Sequence, residues 1–433
     1  MSQPQASSIS TLGHEPVVVI FDNFGPYHVA RVAAAAGAWR AGVAPAFPLP
    51  SRQAGATPAR RMPLLALELK GRSKTYGWTP PASPPFAKRS LTSPDETATA
   101  ELVAPRLRAA LAEARPAAVC VNGWYDFLSL TTIRWCATHG VPFVVMSESP
   151  LPVTPPPRFR EWIKRRIVRL ARAALVGGQA HAEYARQLGL PADAVFTGYD
   201  AVDNDYFAEG AAAARANATA VRKQLGLPEN FFLASKRFVP KKNIPRLLEA
   251  FAGYRTDSQA AGREPWQLVL LGDGLERADV VERIAKLGLQ GEVLLPGFRA
   301  YDELPAYYGL AGAFIHASTH EEWGLVVNEA MAAGLPLLLS RRCGCAADLL
   351  EEGRNGFGFD PLDVTTLRGL MLKVAGPSFD RAGFAAAGQG IVSRFSPEQF
   401  GAGFFAAMNC AIQRGAPHLG LLDRFLLRVL DRA

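Results

Sequence analysis

Residues 319–340 read THEEWGLVVNEAMAAGLPLLLS, and three carboxylates in that stretch have the means to do chemistry. Glu321 and Glu322 stand side by side before a Trp-Gly pair, and Glu329 lies inside an otherwise apolar run. A carboxylate taken out of water is costly unless a partner compensates it. Glu329 therefore predicts a partner, and vicinal hydroxyls, as on a ribose or a hexose, offer paired hydrogen bonds to such a group. The plainer alternative makes Glu321 a helix-start residue favoured by the helix dipole and Glu329 an exposed helix position. The flanking LVV and AMAAG fit the second of these poorly.

Cations come earlier. After FFLAS (231–235), the segment SKRFVPKKNI carries Arg237 and Lys242. Cations at the carboxyl end of a parallel strand suit a phosphate, Arg through its planar fork and Lys as a point charge; a solvated basic loop is the alternative. AFIHAS (313–318) ends a strand, THEEWG makes a loop, and LVVNEAMAAG reads as a helix stopped by Gly334. Its start at Leu325 presents backbone amides and a partial positive charge, and Gly324 lets a ligand approach the backbone. Gly297 and Phe298 end another strand, where a flat ring could lie.

These residues need strand ends to hold them, and the chain supplies a regular alternation. Apolar runs at 17–21, 45–49, 117–121, 143–147, 173–177 and 194–198 read as strands, with helices at 27–41, 98–114 and 126–139 between them. A second series of strands reads at 231–235, 267–272, 292–297, 313–318 and 335–340, with a helix at 244–254. Residues 50–97, rich in Pro, Ser and basic residues, interrupt the first series without a readable shape, and 198–218 forms the join. At 433 residues two domains are the natural division. The expectation is α/β: two facing, doubly wound parallel-sheet (Rossmann-like) domains, at 1–203 and 204–395, with helices at 396–433 returning to the first. In such sheets ligands sit beyond the carboxyl ends of the strands, which places the crevice between the domains.

The bulk properties exclude several classes. Net charge is +8, from 47 Lys and Arg against 39 Asp and Glu, which fits an anionic ligand or an acidic membrane surface and gives no case for nucleic acid. Five sparse cysteines predict reduced thiols in the cytoplasm, and Cys343-Gly-Cys345 lacks a second ligand pair for a metal. The first sixteen residues lack the features of a signal peptide, and no apolar run is long enough to span a membrane. FDNFGPYHVAR has one Gly, GDGLER lacks a third, and no P-loop is present, which disfavours hydride transfer. No Asp-x-Asp metal clamp stands at the strand ends, and no cofactor is expected.

Arg-x4-Lys after the first strand of the second half, GDG after the next, PGF after the third, then Glu-x7-Glu at a Gly-containing helix start resemble the donor domain of family 4 glycosyltransferases. These are retaining enzymes of GT-B fold. GYDAVDNDYF (198–207) is similar to the family's inter-domain segment, whereas the first half matches it only in pattern. The resemblance implies that Arg237 and Lys242 hold the diphosphate of a UDP- or GDP-sugar and that amides near Gly324 and Leu325 take its distal phosphate. By the same resemblance Glu329 binds the ribose hydroxyls, Glu321 contacts the transferred sugar, and the base lies by Gly297 and Phe298. Transfer would be front-face, with retention and without a metal, to a glycan or lipid-linked acceptor in cell-surface polysaccharide or glycolipid synthesis.

The departures lie in the first half. Where the family commonly has a Gly-Gly loop, NFGPYH supplies only Gly25, followed by Pro26, and Asn122, Gly123 and Trp124 stand where relatives often carry a His. His28 and Glu148 lie at other strand or loop ends and are candidates for acceptor or sugar contacts, or else a helix-start His and a capping Glu. PRFREWIKRRIVRLARAAL (157–175) reads as a basic amphipathic helix, for an anionic membrane at the inner face of the plasma membrane or for packing on the sheet. The tail 419–433 has helical apolar spacing and is expected to pack on a domain. A GT-B sugar-nucleotide epimerase, a glycan phosphorylase and a non-catalytic sugar-nucleotide-binding protein are the competing readings; the phosphorylase has no cofactor lysine or phosphate pocket to point to.

Overall fold

The computed structural model describes residues 15–41, 62–70, 84–150 and 157–430. They divide into two compact units, one taking the described residues up to Ala201 together with those from Pro397 onward, the other running from Val202 to Ser396.

The first unit holds a seven-stranded parallel sheet: β1 (Val17–Phe21), β2 (Leu64–Glu68), β3 (Ala87–Ser90), β4 (Ala118–Asn122), β5 (Phe143–Ser147), β6 (Ala173–Val176) and β7 (Val195–Thr197), in the order β3-β2-β1-β4-β5-β6-β7. Every residue of β1 is buried, because helices cover both faces of the sheet and a strand so placed must be apolar throughout. Val18, Ile20 and Val119 face Leu107 and Leu111 of the helix Ala100–Ala114 and Ile133 of the helix Phe127–His139. Val17, Val19 and Cys120 face the other way, onto Val32 and Trp39 of the helix Pro26–Ala41 and Phe400, Phe404 and Met408 of the helix Pro397–Arg414. Side-chain caps mark helix starts: Thr99 accepts from the Leu102 amide at 3.3 Å, and Asp126 accepts from those of Leu128 and Ser129 at 3.1 and 3.0 Å.

Two strands lie in the stretch that the sequence leaves shapeless. β2 and β3 extend the sheet beyond β1, and β3, AKRS, is a half-exposed edge strand whose Lys88 and Arg89 hide it from a hydrophobicity reading. The strand expected at 45–49 lies outside the described residues. The basic helix is shorter than expected. It spans Arg158–Val168, and Ala173–Val176 is β6, paired between β5 and β7, so AAL belongs to the sheet core.

The second unit holds six parallel strands: β8 (Phe231–Ser235), β9 (Gln267–Leu271), β10 (Val293–Gly297), β11 (Ala313–His316), β12 (Leu337–Ser340) and β13 (Gly356–Phe359), in the order β10-β9-β8-β11-β12-β13. The strand order reverses between β8 and β11, the switch point at which doubly wound sheets open a crevice. β13 reads GFGF and carries no β-branched residue, which is why the sequence does not announce it. The small residues of the join form a helix, Asn204–Ala216, capped by Asp203, which accepts from the Tyr206 amide at 3.0 Å.

Candidate functional site

Lys236 follows the last residue of β8, at the switch point. It is 6 % exposed, and its Nζ has no hydrogen-bond partner among the described residues. The neighbouring Arg237 is exposed. A 3-10 turn, Pro240–Lys242, then reverses the chain and leads into Asn243, a non-glycine residue held at φ 56°. Asn243 is held there because its Nδ2 donates to the carbonyls of Ala317 (3.1 Å) and Pro361 (2.7 Å), tying the turn to the segments after β11 and β13. The buried Lys242 donates to Oε2 of Glu321.

Glu321 is positioned from two sides. Its backbone pairs with Cys343 after β12, and the Gly344 amide donates to its carbonyl at 3.0 Å. Its Oε2 also lies 3.3 Å from His316 Nε2 and accepts from Ser318 Oγ at 3.4 Å, while Lys241 turns mainly to Glu322, at 2.7 Å. Burial pushes the Glu321 carboxyl up, but His316 and Lys242 outweigh it and hold the group well below the usual carboxylate range. His316 falls to about 4, chiefly by burial, against the pull of Glu321. Lys236 falls to about 7, by burial first and Lys242 second, and burial with Glu321 pushes the Cys343 thiol up to about 12. Glu321 and Lys242 balance each other, which leaves Lys236 without a counter-charge of its own among the described residues. The chemistry of such a site is that of an anion receptor.

Glu329 lies on the helix Leu325–Ala332 and is 1 % exposed, so the reading as an exposed helix position is overturned. It accepts a hydrogen bond from the buried Tyr308 hydroxyl, on the helix Leu304–Leu310. Burial and then Glu329 drive the Tyr308 hydroxyl well above its ordinary pKa, so it stays a donor. Trp323 Nε1 donates to Asn328 Oδ1 at 2.9 Å and fastens the preceding loop to the same helix. Gly324 sits at φ 106° before the helix, where an added Cβ would come within 3.5 Å of His316 Nε2. The amides of Leu325 and Val326 precede the first intrahelical bond, from Val327 to Gly324. Gly272, after β9, is required outright. At φ 117° a Cβ there would lie 1.9 Å from the Lys236 carbonyl oxygen. Gly297 ends β10, and the Phe298 ring beyond it is half exposed.

In the first unit, Gly25 lies in the loop after β1, where the Phe24 amide donates to buried Glu68 Oε1 at 2.8 Å and Lys88 and Ser90 bind the other oxygen. His28 is in the first turn of the next helix, its ring 4.4 Å from that of Phe21. Its buried Nδ1 has no hydrogen-bond partner among the described residues, and burial, then Arg31, lowers its pKa to about 3, so it is neutral at ordinary pH. Glu148 follows β5 and acts electrostatically on buried Tyr199, whose hydroxyl donates to Asn122 Oδ1 at 3.2 Å after β4. Trp124 is buried.

The structure thus joins Glu321 to Lys242 in one network, anchors Glu329 on Tyr308, and leaves Arg237 at the rim. It adds Lys236, His316, Ser318 and Tyr308, which the spacing of the carboxylates does not reveal. Two signals were available, a His at a strand end (AFIHAS) and a Lys directly before Arg237. Among the described residues no group of three or more His, Cys, Asp or Glu is placed to hold a metal ion.

Residues 217–375 match the family model for glycosyl transferases, group 1. The chain is 30% identical over 185 residues to the mannosylfructose-phosphate synthase of Agrobacterium fabrum, an alignment covering 41% of this chain and 38% of that protein. It is 34% identical over 124 residues to the alpha-monoglucosyldiacylglycerol synthase of Streptococcus pneumoniae, covering 28% of this chain and 27% of the relative. The chain thus spans less than two fifths of the length of these two curated relatives. The crystal structure of Anabaena Alr3699/HepE in complex with UDP and glucose superposes with a TM-score of 0.65 at 19% identity, covering 90% of this chain and 97% of that one. The chain therefore has the two-domain α/β fold of the GT-B glycosyltransferases, and its second unit carries the match to group 1.

Proposed function

We propose that the protein is a retaining hexosyltransferase of the family 4 type, moving a sugar from a UDP- or GDP-sugar to a glycan or lipid-linked acceptor without a metal. The observation that carries this reading is the buried lysine pair at the β8–β11 switch point, of which Glu321 neutralises only one. A diphosphate supplies the missing negative charge. Lys242, Lys236 and Arg237, with the amides at Gly324 and Leu325, then stand where charge grows as the nucleoside diphosphate leaves. Glu321 would meet the transferred sugar. Tyr308 anchors Glu329 through one hydrogen bond, and ribose hydroxyls would share the carboxylate with it. Phe298 would border the base, and Gly25, His28 and Glu148 would serve the sugar or the acceptor.

The relatives support the reading by name: one makes a sugar phosphate ester, one a glucosyl lipid, and the superposed structure holds UDP and glucose. A lipid-linked acceptor would bring the protein to the cytoplasmic face of a membrane, with the basic helix Arg158–Val168 as the contact; no helix among the described residues is long and apolar enough to cross one.

The test is incubation with UDP-, GDP- and ADP-sugars, with and without glycan or lipid acceptors, following nucleoside diphosphate release and the anomeric configuration of the product. Release with retention is expected. A returned nucleotide sugar with an altered sugar would make it an epimerase, binding without release a non-catalytic receptor, and an inverted product would reject the retaining mechanism.

A further inference from the structure

Six of the eleven large apolar side chains that stand open among the described residues lie on two helices of the first unit: Phe159, Trp162, Leu421, Leu422, Phe425 and Val429. On the helix Leu421–Leu430 the arrangement is inside out. Asp423 and Leu427 are buried, while Leu421, Leu422, Phe425 and Val429 share the outward side, at spacings that keep them on one face of a 3.6-residue turn. An apolar stripe turned to water along a whole helix is unpartnered surface rather than scattered exposure.

The two helices are fastened together. Arg166 Nε donates to Asp423 Oδ1 at 2.8 Å, so the first turn of the helix Leu421–Leu430 meets the helix Arg158–Val168. Phe159 and Trp162 stack with ring centroids 6.0 Å apart, and the Arg166 guanidinium lies 6.0 Å from the Trp162 ring, which puts all three on the side that carries the Asp423 contact. The open charges are of one sign: Arg158, Arg160, Arg165, Arg424 and Arg428. The two acids are used internally, Asp423 on Arg166 and Glu161 on Lys164 and Tyr184.

We infer that these two helices form one docking face for an anionic phospholipid bilayer, the helix Leu421–Leu430 supplying most of the apolar insertion and the arginines engaging lipid phosphates. An apolar stripe rimmed by cations is what an interfacial helix presents, with arginine stems lying along the apolar layer and their heads among the phosphates. Two copies of the face would set arginines against arginines. Aliphatic Leu and Val give nucleic-acid bases nothing to stack on. The inference rests on the membrane contact proposed for the helix Arg158–Val168 and extends it to an element expected to pack on a domain.

The test uses the full chain with vesicles of phosphatidylcholine alone and with added phosphatidylglycerol, read by flotation across a salt series. Wild type is expected to float with the anionic vesicles and to release as salt rises. Phe425→Ser/Val429→Ser is expected to lose at least about ten-fold in vesicle affinity, with nucleotide-sugar binding unchanged as proof of folding. Wild-type affinity in that variant overturns the two-helix face; if Arg158→Ser/Arg160→Ser/Arg165→Ser is then the variant that fails, the contact by the first helix alone survives. Flotation of neither vesicle by wild type ends both readings. Self-association in sedimentation velocity that the Phe425→Ser/Val429→Ser variant abolishes, with no flotation, would make the face a contact between copies and overturn the inference.

Discussion

The Tyr308 hydroxyl donates to Glu329 across 2.5 Å, and both residues are shut away from water. The carboxylate is thus held by the protein before any ligand arrives. Tyr308→Phe removes this donor and is expected to cost about 1.5–3 kcal/mol, the scale of a hydrogen bond to a charged group. Glu329→Gln keeps an acceptor for Tyr308 and should leave the urea midpoint close to wild type. The same variant trades charge-assisted bonds to a ligand diol for neutral ones, so calorimetry with the cognate nucleotide sugar should show about ten-fold weaker binding. Unchanged affinity would confine Glu329 to a structural role.

Lys242 and Glu321 form a buried ion pair, and such pairs are costly to halve. Lys242→Met should destabilise the protein by about 3–5 kcal/mol, whereas Lys242→Met/Glu321→Leu should regain most of that loss. Turnover should not return with stability: both variants are expected to fall by about 100-fold or more, the scale of losing one group that stabilises a leaving charge. A double variant with full activity would remove both residues from the reaction.

Lys236 makes the alkaline limb of stability diagnostic. Its folded pKa lies near 7 against 10.5 for the ordinary side chain, so between those values the unfolded chain carries a proton that the folded chain lacks. Stability therefore rises with pH across that window, relative to Lys236→Met, and levels below about pH 7, where both states are protonated. Denaturation at a series of pH values in both proteins checks the sign. His316 works on the acid side: neutral in the fold down to about 4, it withdraws stability as pH falls from about 6.5.

Much of this was readable in the residues. Strands buried on both faces, such as VVVIF and FFLAS, declare themselves by continuous apolarity, and the need of Glu329 for a partner shows in the apolar run around it. β3 and β13 were not readable, because an edge strand can be AKRS and a strand pressed against its neighbour can be GFGF. His316, Lys236 and Tyr308 were hidden for a different reason. Each matters through what it meets in space, and Tyr308 reaches Glu329 from 21 residues away.

The first unit is interrupted in the chain, and this has a consequence for biosynthesis. Phe400, Phe404 and Met408 close one side of the first sheet, yet they leave the ribosome only after the whole of Val202–Ser396. At about 5–20 residues per second those intervening residues take about 10–40 s to translate. Throughout that interval the face of Val17, Val19 and Cys120 lacks the helix Pro397–Arg414 and has the helix Pro26–Ala41 as partial cover, while the contiguous second unit has all it needs to fold. Chaperone capture during synthesis should therefore concentrate on the amino-terminal sheet, and ribosome-bound chains stalled before residue 397 should expose it to protease.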